Sequence, residues 1–244
     1  MEVAMKNMHD ARYTDGSYTV RNRGFSQNES LQKALEFHRI AKSNDVKVRS
    51  ILDFGCGGGG FLKSIFCKNF FPELNSGMGL DINHDAISFA SEHNSYRNVS
   101  FQCGQLNEFQ PQNKFDVGCA VHVLEHLQNW EDVALRLSEI SSVCYFVVPL
   151  EASVWHTLRP NVLHGQYDKY GHINFFNEAY FKCRLKELGF DLIDLDYSNE
   201  FISFTGMGAK LLKFPRLGLG AISKSHCANW LGGYCLQVLC TRGA

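Results

Sequence analysis

From Val48 onward, short apolar segments alternate with stretches in which apolar residues recur at helical spacing. Such alternation is typical of a mostly parallel sheet with helices on both faces. We therefore predict an α/β, doubly wound fold, with its binding crevice beyond the carboxyl ends of the strands. The predicted strands are 49–54, 76–82, 98–104, 115–121, 141–150, 190–197 and 234–241, and the predicted helices are 60–66, 85–93, 129–140 and 177–189.

A polar segment precedes this alternation, and two long connections interrupt it. Residues 1–47 are expected to form an N-terminal cap with one amphipathic helix at 31–44, and residues 48–244 the main domain. The connections 151–172 and 199–232 are predicted to be lids that carry aromatic walls of the substrate crevice. The aromatic candidates are Tyr167, Tyr170 and either Phe175 or Phe176.

The apolar segment 204–222 leaves three interpretations open: a lid, a dimer contact or a membrane-surface patch. Pro215 and four glycines in this segment are expected to break any long helix. A homodimer therefore stays among the expected arrangements.

Charge and cysteine usage exclude several classes of protein. With 24 Lys and Arg against 25 Asp and Glu, the charge balance argues against a chain held to nucleic acid by bulk charge, and leaves a local basic patch open. No apolar run approaches the roughly 20 residues that span a bilayer, and no signal-peptide core is seen at the N-terminus. The nine cysteines show no C-x-x-C spacing. We expect buried free thiols in the reducing cytoplasm.

The most informative stretch is ILDFGCGGGGF at 51–61, in which Gly55, Gly57 and Gly60 fit the spacing G-x-G-x-x-G. Asp81 ends the next predicted strand, 21 residues after Gly60. A glycine turn that opens a helix presents backbone N–H groups to a ligand, and an acidic residue at this distance binds ribose hydroxyls. The alternatives are an ordinary tight turn and, for Asp81, a helix N-cap. Together the two elements predict a nucleoside-containing cofactor, either NAD or S-adenosylmethionine.

Four features together resemble the class I S-adenosylmethionine-dependent methyltransferases. They are Asp53 with the glycine run, Asp81, the segment VHVLEHL at 121–127 and the segment from Gly171 to Phe190. The resemblance covers about residues 45–198. It implies a Rossmann-like, seven-stranded sheet whose last strand is antiparallel.

The resemblance also implies a cofactor site. The glycine loop and Asp53 would hold the methionine moiety, Asp81 the ribose, and residues 104–106 the adenine. Many members have an Asp where this chain has Gln105, whose amide could still face the adenine edge. The implied cofactor-binding residues are Asp53, Gly55, Cys56, Gly57, Gly58, Gly60, Asp81, Ile82, Gln105, Leu106 and Val121.

A group of histidines follows the fourth predicted strand. His122, Glu125 and His126 would share one face if their turn were helical, and His172 lies in the connection after the fifth strand. Three interpretations stay open. Glu125 and His126 brace the loop, His122 or His172 is the general base of the reaction, or His122, Glu125, His126 and His172 bind a metal ion.

The metal interpretation also rests on a resemblance. The arrangement is similar to the Glu-x-x-Glu-His…His metal site of small-RNA 2′-O-methyltransferases and to a segment of ubiquinone-pathway O-methyltransferases. His122 replaces the first Glu of that pattern. Imidazole in place of a carboxylate favours Zn, Fe or Mn over Mg.

The function that we expect is S-adenosylmethionine-dependent methyl transfer to an oxygen of a small polar metabolite, metal-assisted in one interpretation. Methyl transfer needs only a positioned nucleophile, a proton acceptor and a shaped pocket, because the cofactor supplies the leaving group. The alternatives are methylation of RNA or another macromolecule, which the neutral net charge disfavours, and a cofactor-binding module without transferase activity.

Overall fold

The computed structural model describes residues 27–198 and 207–243. The first half of the predicted cap segment, 1–26, thus lies outside the described residues, and α1 represents the rest. The strands are β1 Ser50–Phe54, β2 Ser76–Asp81, β3 Val99–Cys103, β4 Phe115–Val121, β5 Ser141–Pro149, β6 Phe190–Ser198 and β7 Cys235–Arg242. The helices are α1 Gln27–Ser43, α2 Gly60–Lys68, α3 His84–Glu92, α4 Trp130–Ile140, α5 Val154–Thr157, α6 Pro160–Tyr170, α7 Glu178–Glu187, α8 Met207–Ile222 and α9 Lys224–Leu231.

The seven strands form one sheet in the order β3-β2-β1-β4-β5-β7-β6. β1, β2 and β3 pair in parallel, whereas β7 is antiparallel to both β5 and β6. The predicted α/β fold with an antiparallel last strand is confirmed. All seven predicted strands are present. Most are apolar runs, whereas β3 and β6 alternate apolar with polar residues.

The chain divides into two compact units, which we call the first and the second unit. The first unit comprises residues 1–119 and 136–143, and the second comprises 120–135 and 144–244. The assignment of residues 1–47 as a cap and of 48–244 as one domain stays a prediction.

The core of the first unit lies around β1. Ile51 and Leu52 are fully buried, as is Phe37 of α1. Arg49, just before β1, pairs with Asp116 at the start of β4 at 3.2 Å. Because strands buried on both faces are almost continuously apolar, the buried acidic residue of β1, Asp53, is the exception that marks a site.

Aromatic side chains dominate the core of the second unit. The Trp130 ring packs against Phe176 and Phe181, with centroids 5.5 and 5.2 Å apart. Phe176 is fully buried. The prediction that names Phe176 as a wall of the substrate crevice is therefore wrong for this residue, since its ring fills the core.

The two long connections are mostly helical. Residues 151–172 contain α5 and α6, and 199–232 contains α8 and α9, with 199–206 outside the described residues. The expectation that Pro215 breaks any long helix is wrong, because Pro215 lies inside the 16-residue α8. Proline removes one N–H donor and glycines favour the unfolded chain. Burial of Leu212 on the inner face of α8 offsets part of that cost.

The nine cysteines, all within the described residues, form no disulfide, and six of them are buried. The prediction of burial is wrong for Cys67, Cys103 and Cys183, which are exposed. Within residues 27–198 and 207–243, no helix combines the length and the apolar character that a bilayer span needs.

We predict that Gly59→Ala destabilises the first unit by roughly 1–3 kcal/mol. Gly59 has φ +73°, and an added Cβ would lie 2.5 Å from the Phe101 ring. The matched control is Gly165→Ala in α6, where a Cβ meets nothing within 4 Å and stability should stay equal or rise. Urea denaturation measures both, and equal stabilities of the two variants would contradict the account.

Candidate functional site

A strained glycine turn joins β1 to α2. Gly55, Gly57 and Gly59 have φ values of 72°, 50° and 73°, a region that other residues rarely adopt. Gly55 N–H donates to the Leu80 carbonyl of β2 at 2.7 Å. Because α2 begins at Gly60, the first N–H groups of that helix have no intrahelical acceptor and can bind a ligand. The sequence analysis named Gly58 but not Gly59, since a run of four glycines does not show which of them needs a positive φ.

Asp81 fixes this turn from the end of β2. Its Oδ2 accepts a hydrogen bond from Gly57 N–H at 2.8 Å, and its Oδ1 accepts one from Asn83 N–H at 2.9 Å. The N-cap of α3 is Asn83, whose side chain accepts from Ala86 N–H. The alternative that Asp81 is the N-cap is therefore wrong. Burial raises the pKa of Asp81, although its backbone hydrogen bonds oppose the shift.

Asp53 is a second buried carboxyl on the neighbouring strand. It is 2% exposed. Burial, with the charge of Asp81 adding to it and Lys33 opposing it, raises the pKa of Asp53 to about 8. Burial also raises the pKa of the nearby Cys56 thiol. Two carboxyls buried together favour a bound cation, because a positive charge relieves their repulsion.

The other predicted cofactor residues of the first unit lie at the carboxyl ends of β2 and β3. Ile82 is partly buried, Leu106 is 2% exposed, and Gln105 is exposed. Gly104 N–H donates to the Asp81 carbonyl at 3.0 Å, which holds the segment after β3 against the end of β2. Val121, the remaining predicted cofactor residue, ends β4 and belongs to the second unit.

The histidine segment of the second unit does not form the expected helical face. His122 has φ +58°, and only Leu124–His126 form a short 3₁₀ turn. His122 N–H donates to the Val147 carbonyl of β5 at 3.0 Å. The left-handed backbone at His122 separates it from the turn, so the prediction that His122, Glu125 and His126 share one helical face is wrong.

Three of the four predicted metal ligands nevertheless come together. Ligand atoms of Glu125, His126 and His172 all lie within 4.8 Å of one another. The rings of His126 and His172 meet edge to face, with centroids 4.9 Å apart. His122 is not part of this group, but its Nδ1 lies 3.3 Å from Oε1 of Glu125.

The Glu125 carboxylate lies in an unusual environment for a charged group. Its side chain is 1% exposed, and among the described residues neither oxygen has a hydrogen-bond partner of good geometry. Burial alone would raise the pKa of Glu125, but His122, His126 and His172 outweigh it and lower that pKa. Burial lowers the pKa of His126. At neutral pH the group therefore combines an ionised carboxylate with a neutral imidazole, the protonation states that metal ligation needs.

Glu151, which the sequence analysis missed, orients His172. It lies just beyond β5, is 6% exposed and has Oε2 at 2.8 Å from His172 Nδ1. Burial raises the pKa of Glu151, and the contact with His172 opposes that shift. When Glu151 is ionised it can only accept, so the hydrogen bond then requires the proton on Nδ1 of His172 and leaves Nε2 as an acceptor. A polar residue directly after an apolar strand was the available signal. Its partner, 21 residues away, could not be read from spacing.

The bracing interpretation agrees with the contact of His126, whose Nδ1 lies 3.3 Å from the Gly171 carbonyl, but not with the Glu125 carboxylate. Asn174 Nδ2 donates to the carbonyls of Leu124 and Leu127 at 2.9 and 2.6 Å. The backbone carbonyl of Glu125 accepts from Ile173 and Asn174 N–H. The loop is thus held by backbone groups, Asn174 and His126, while the Glu125 carboxylate is left for another role.

The two long connections of the second unit meet at an open groove of about 360 Å³. Ser153 and Leu158 line it from the first connection, and Asn229 from the second. Tyr167 and Tyr170 are partly exposed on α6, at 45% and 41%. A role of these segments as lids stays a prediction.

We predict that Asp53→Asn stabilises the ligand-free protein at alkaline pH. The folded-state pKa of Asp53, about 8, lies above the unfolded value of about 3.9. The wild-type protein therefore loses stability as pH rises from about 4 to about 8, whereas the amide has no charge to desolvate. The variant should gain at least about 1.4 kcal/mol at alkaline pH, the equivalent of one pKa unit.

Chemical denaturation at about pH 5 and about pH 8.5 measures this difference. Asp191→Asn, a change at an exposed residue of β6, is the matched control and should leave the pH dependence unaltered. A wild-type pH dependence that survives in Asp53→Asn would contradict the assignment of a buried, raised-pKa carboxyl.

Known proteins share this architecture and parts of this sequence. The family model of the methyltransferase domain matches residues 26–195. The ubiquinone biosynthesis O-methyltransferase of Bradyrhizobium sp. (strain ORS 278) is 30% identical over 111 residues, 44% of this chain and 41% of that protein. The malonyl-[acyl-carrier protein] O-methyltransferase 2 of Ilyobacter polytropus is 28% identical over 158 residues, 64% of this chain and 51% of that protein. The matches thus span about half or less of these relatives' length.

The fold is also that of solved methyltransferases. The crystal structure of magnesium protoporphyrin IX methyltransferase from Synechocystis PCC 6803, with bound SAH, aligns with 98% of this chain and 100% of its own. Its TM-score is 0.62 and its sequence identity 14%, so this likeness concerns the fold. Because the family model covers more than half of the sequence, the chain belongs to the class I S-adenosylmethionine-dependent methyltransferases.

Proposed function

We propose that the protein transfers the methyl group of S-adenosylmethionine to an oxygen atom of a small polar metabolite. The observation that carries this proposal is the buried His172–Glu151 pair, because a hydroxyl acceptor needs a proton acceptor and this pair provides one. Two relatives are named O-methyltransferases, which favours an oxygen over a nitrogen or carbon acceptor.

The first unit supplies the features of a cofactor site. Each carboxylate oxygen of Asp81 accepts one backbone hydrogen bond and keeps a lone pair for a ribose hydroxyl. Asp53, buried beside the glycine turn, would face the positively charged end of the cofactor, whose ammonium and sulfonium groups relieve the repulsion between the two carboxyls. In this proposal the glycine turn brings the backbone close to the methionine moiety.

The reaction itself requires little covalent chemistry from the protein. The acceptor oxygen attacks the methyl carbon in line, and the bond from carbon to sulfur breaks with its electron pair remaining on sulfur. The hydroxyl proton passes to a base, and the products are the methyl ether or ester and S-adenosylhomocysteine. The protein therefore has to bind, orient and deprotonate.

We assign the base role to His172 over His122. Glu151 Oε2 lies 2.8 Å from Nδ1 of His172 and fixes the orientation of its ring, which leaves Nε2 to take the proton. Nε2 of His122, in contrast, is buried away from solvent, and its Nδ1 faces Glu125. His122 is better placed to position the Glu125 carboxylate than to meet an acceptor.

A divalent metal is the second candidate, and the buried Glu125 carboxylate favours it. Glu125, His126 and His172 would hold the ion. Nδ1 of His126 lies 3.3 Å from the Gly171 carbonyl, and Nδ1 of His172 is held by Glu151. Ligating histidines usually have their second nitrogen fixed in this way. A bound ion would lower the pKa of the acceptor hydroxyl, and this nitrogen-rich ligand set suits Zn, Fe or Mn better than Mg.

We predict that Asp81→Ala weakens binding of S-adenosylhomocysteine at least about tenfold, since hydrogen bonds to a charged acceptor contribute about 1.5–3 kcal/mol. Isothermal calorimetry measures the affinity, and Asp85→Ala, a substitution of an exposed carboxylate of α3, is the control. If Asp81→Ala bound S-adenosylhomocysteine with wild-type affinity, the assignment of the ribose to Asp81 would be wrong. Binding of NADH but not of S-adenosylhomocysteine would overturn the cofactor assignment.

We predict that His172→Ala lowers kcat at least about 100-fold, the usual contribution of a general base. If His172 acts as the base, Glu151→Gln lowers kcat and shifts its pH profile, His126→Ala has a smaller effect, and activity persists in excess chelator. His164→Ala, an exposed imidazole of α6, is the control. Wild-type activity in His172→Ala would contradict both the base and the metal candidates.

Elemental analysis of protein purified without a histidine tag distinguishes the metal candidate from the general-base candidate. It predicts stoichiometric metal in the wild type, lost in Glu125→Ala, His126→Ala and His172→Ala and kept in His122→Ala. Because ligation needs neutral imidazoles, metal affinity should fall below about pH 6. Protein without metal that keeps full activity in chelator would exclude a catalytic ion.

A further inference from the structure

The helix α8 exposes an apolar stripe. Leu211, Phe214 and Ile222 are 74%, 79% and 84% exposed. Their spacing of three and eight residues places them on one side of a helix with 3.6 residues per turn. The opposite side is buried, with Leu212 at 7% and Arg216 at 3% exposure. Large apolar side chains gathered on one outward face mark an interaction surface, whereas single exposed ones do not.

All the charged residues in the sequence around this stripe are basic. Residues 201–244 contain no Asp or Glu but include Lys210, Lys213, Arg216, Lys224 and Arg242. This segment therefore has a formal charge of +5 within a chain of net −1, which leaves −6 on residues 1–200. Lys213, next to Phe214, is exposed. Arg216 is buried and Lys224 is paired with Asp196 at 3.1 Å, so Lys213 supplies the exposed positive charge beside the stripe. Because α8 itself contains no acidic residue, this face complements a partner that is both apolar and acidic.

The neighbouring helix α9 adds an aromatic side chain to the same surface. α9 packs on α8 through Arg216, whose Nη2 donates to the Leu231 carbonyl at 2.7 Å. Trp230 of α9 is 59% exposed. Tryptophan is enriched where proteins meet the headgroup region of a bilayer, because its ring is apolar and its N–H is polar.

We propose that α8 binds the surface of a membrane containing anionic lipids. Leu211, Phe214 and Ile222 would enter the boundary between headgroups and acyl chains, while the exposed Lys213 contacts a lipid phosphate. A helix of 16 residues is about 24 Å long and would lie in the plane of the surface. A two-fold dimer through this stripe would bring Lys213 near its own copy, with no acidic residue of the segment to offset the repulsion.

The proposal is independent of the methyltransferase activity and is tested by flotation of the full chain with vesicles. We expect binding to an equal mixture of phosphatidylcholine and phosphatidylglycerol at low salt. Vesicles of phosphatidylcholine alone, or high salt, should weaken binding at least about tenfold, since the attraction of lysines to anionic headgroups is screened.

Leu211→Ser and Phe214→Ser should each weaken vesicle binding at least about tenfold, because each removes a large exposed apolar side chain. Lys213→Glu should do the same at low salt. Leu35→Ser on α1, where Leu35 is 43% exposed, is the control and should bind as the wild type does. Circular dichroism and unchanged S-adenosylhomocysteine affinity verify that each variant is folded.

Three results would overturn the proposal. They are no vesicle binding by the wild type, binding that Leu211→Ser and Phe214→Ser leave unchanged, and a dimer in light scattering that Phe214→Ser dissociates. The last result would assign the stripe to a second copy of the chain.

Discussion

The candidate cofactor site depends on one hydrogen bond, from Gly57 N–H to the Asp81 carboxylate. Together with the bond from Gly55 N–H to the Leu80 carbonyl, it ties the turn after β1 to the end of β2, and it orients the carboxylate. The contact is possible only because the residue at position 57 can adopt a positive φ and Asp81 ends its strand. The nearby burial of Asp53 then follows from the same close packing of turn and strand.

Buried carboxyls recur in the second unit, where Glu125 and Glu151 approach His122 and His172. A buried carboxyl costs folding free energy unless it is paired and hydrogen-bonded. In the first unit the cost appears as the raised pKa of Asp53, and in the second as a Glu125 carboxylate without a well-placed donor among the described residues. Such costs are typical of groups arranged to meet a ligand.

The fold was predictable from the sequence because short strand segments, most of them apolar, alternate with amphipathic stretches, although β3 and β6 also contain polar residues. The glycine run and Asp81 likewise marked the cofactor site, because a short turn between adjacent strands leaves little freedom. α8 was missed because the local cost of Pro215 does not reveal the packing that offsets it.

The histidine site was less predictable because it depends on contacts distant in sequence. Asn174 reaches the carbonyl of Leu124 across 50 positions, and Glu151 reaches His172 across 21. No sequence pattern predicts the positive φ of His122 either, since histidine occurs in every kind of backbone conformation. Residue types identified the candidates, but only the packed structure showed which of them meet.

The most direct test of methyl transfer to a small molecule is incubation of the protein with a metabolite extract and cofactor labelled in its methyl group. The account predicts that label appears in a low-mass compound and is released by conditions that cleave methyl ethers or esters. Label in RNA or protein, or on nitrogen or carbon of the product, would contradict it, as would cofactor binding without any labelled product.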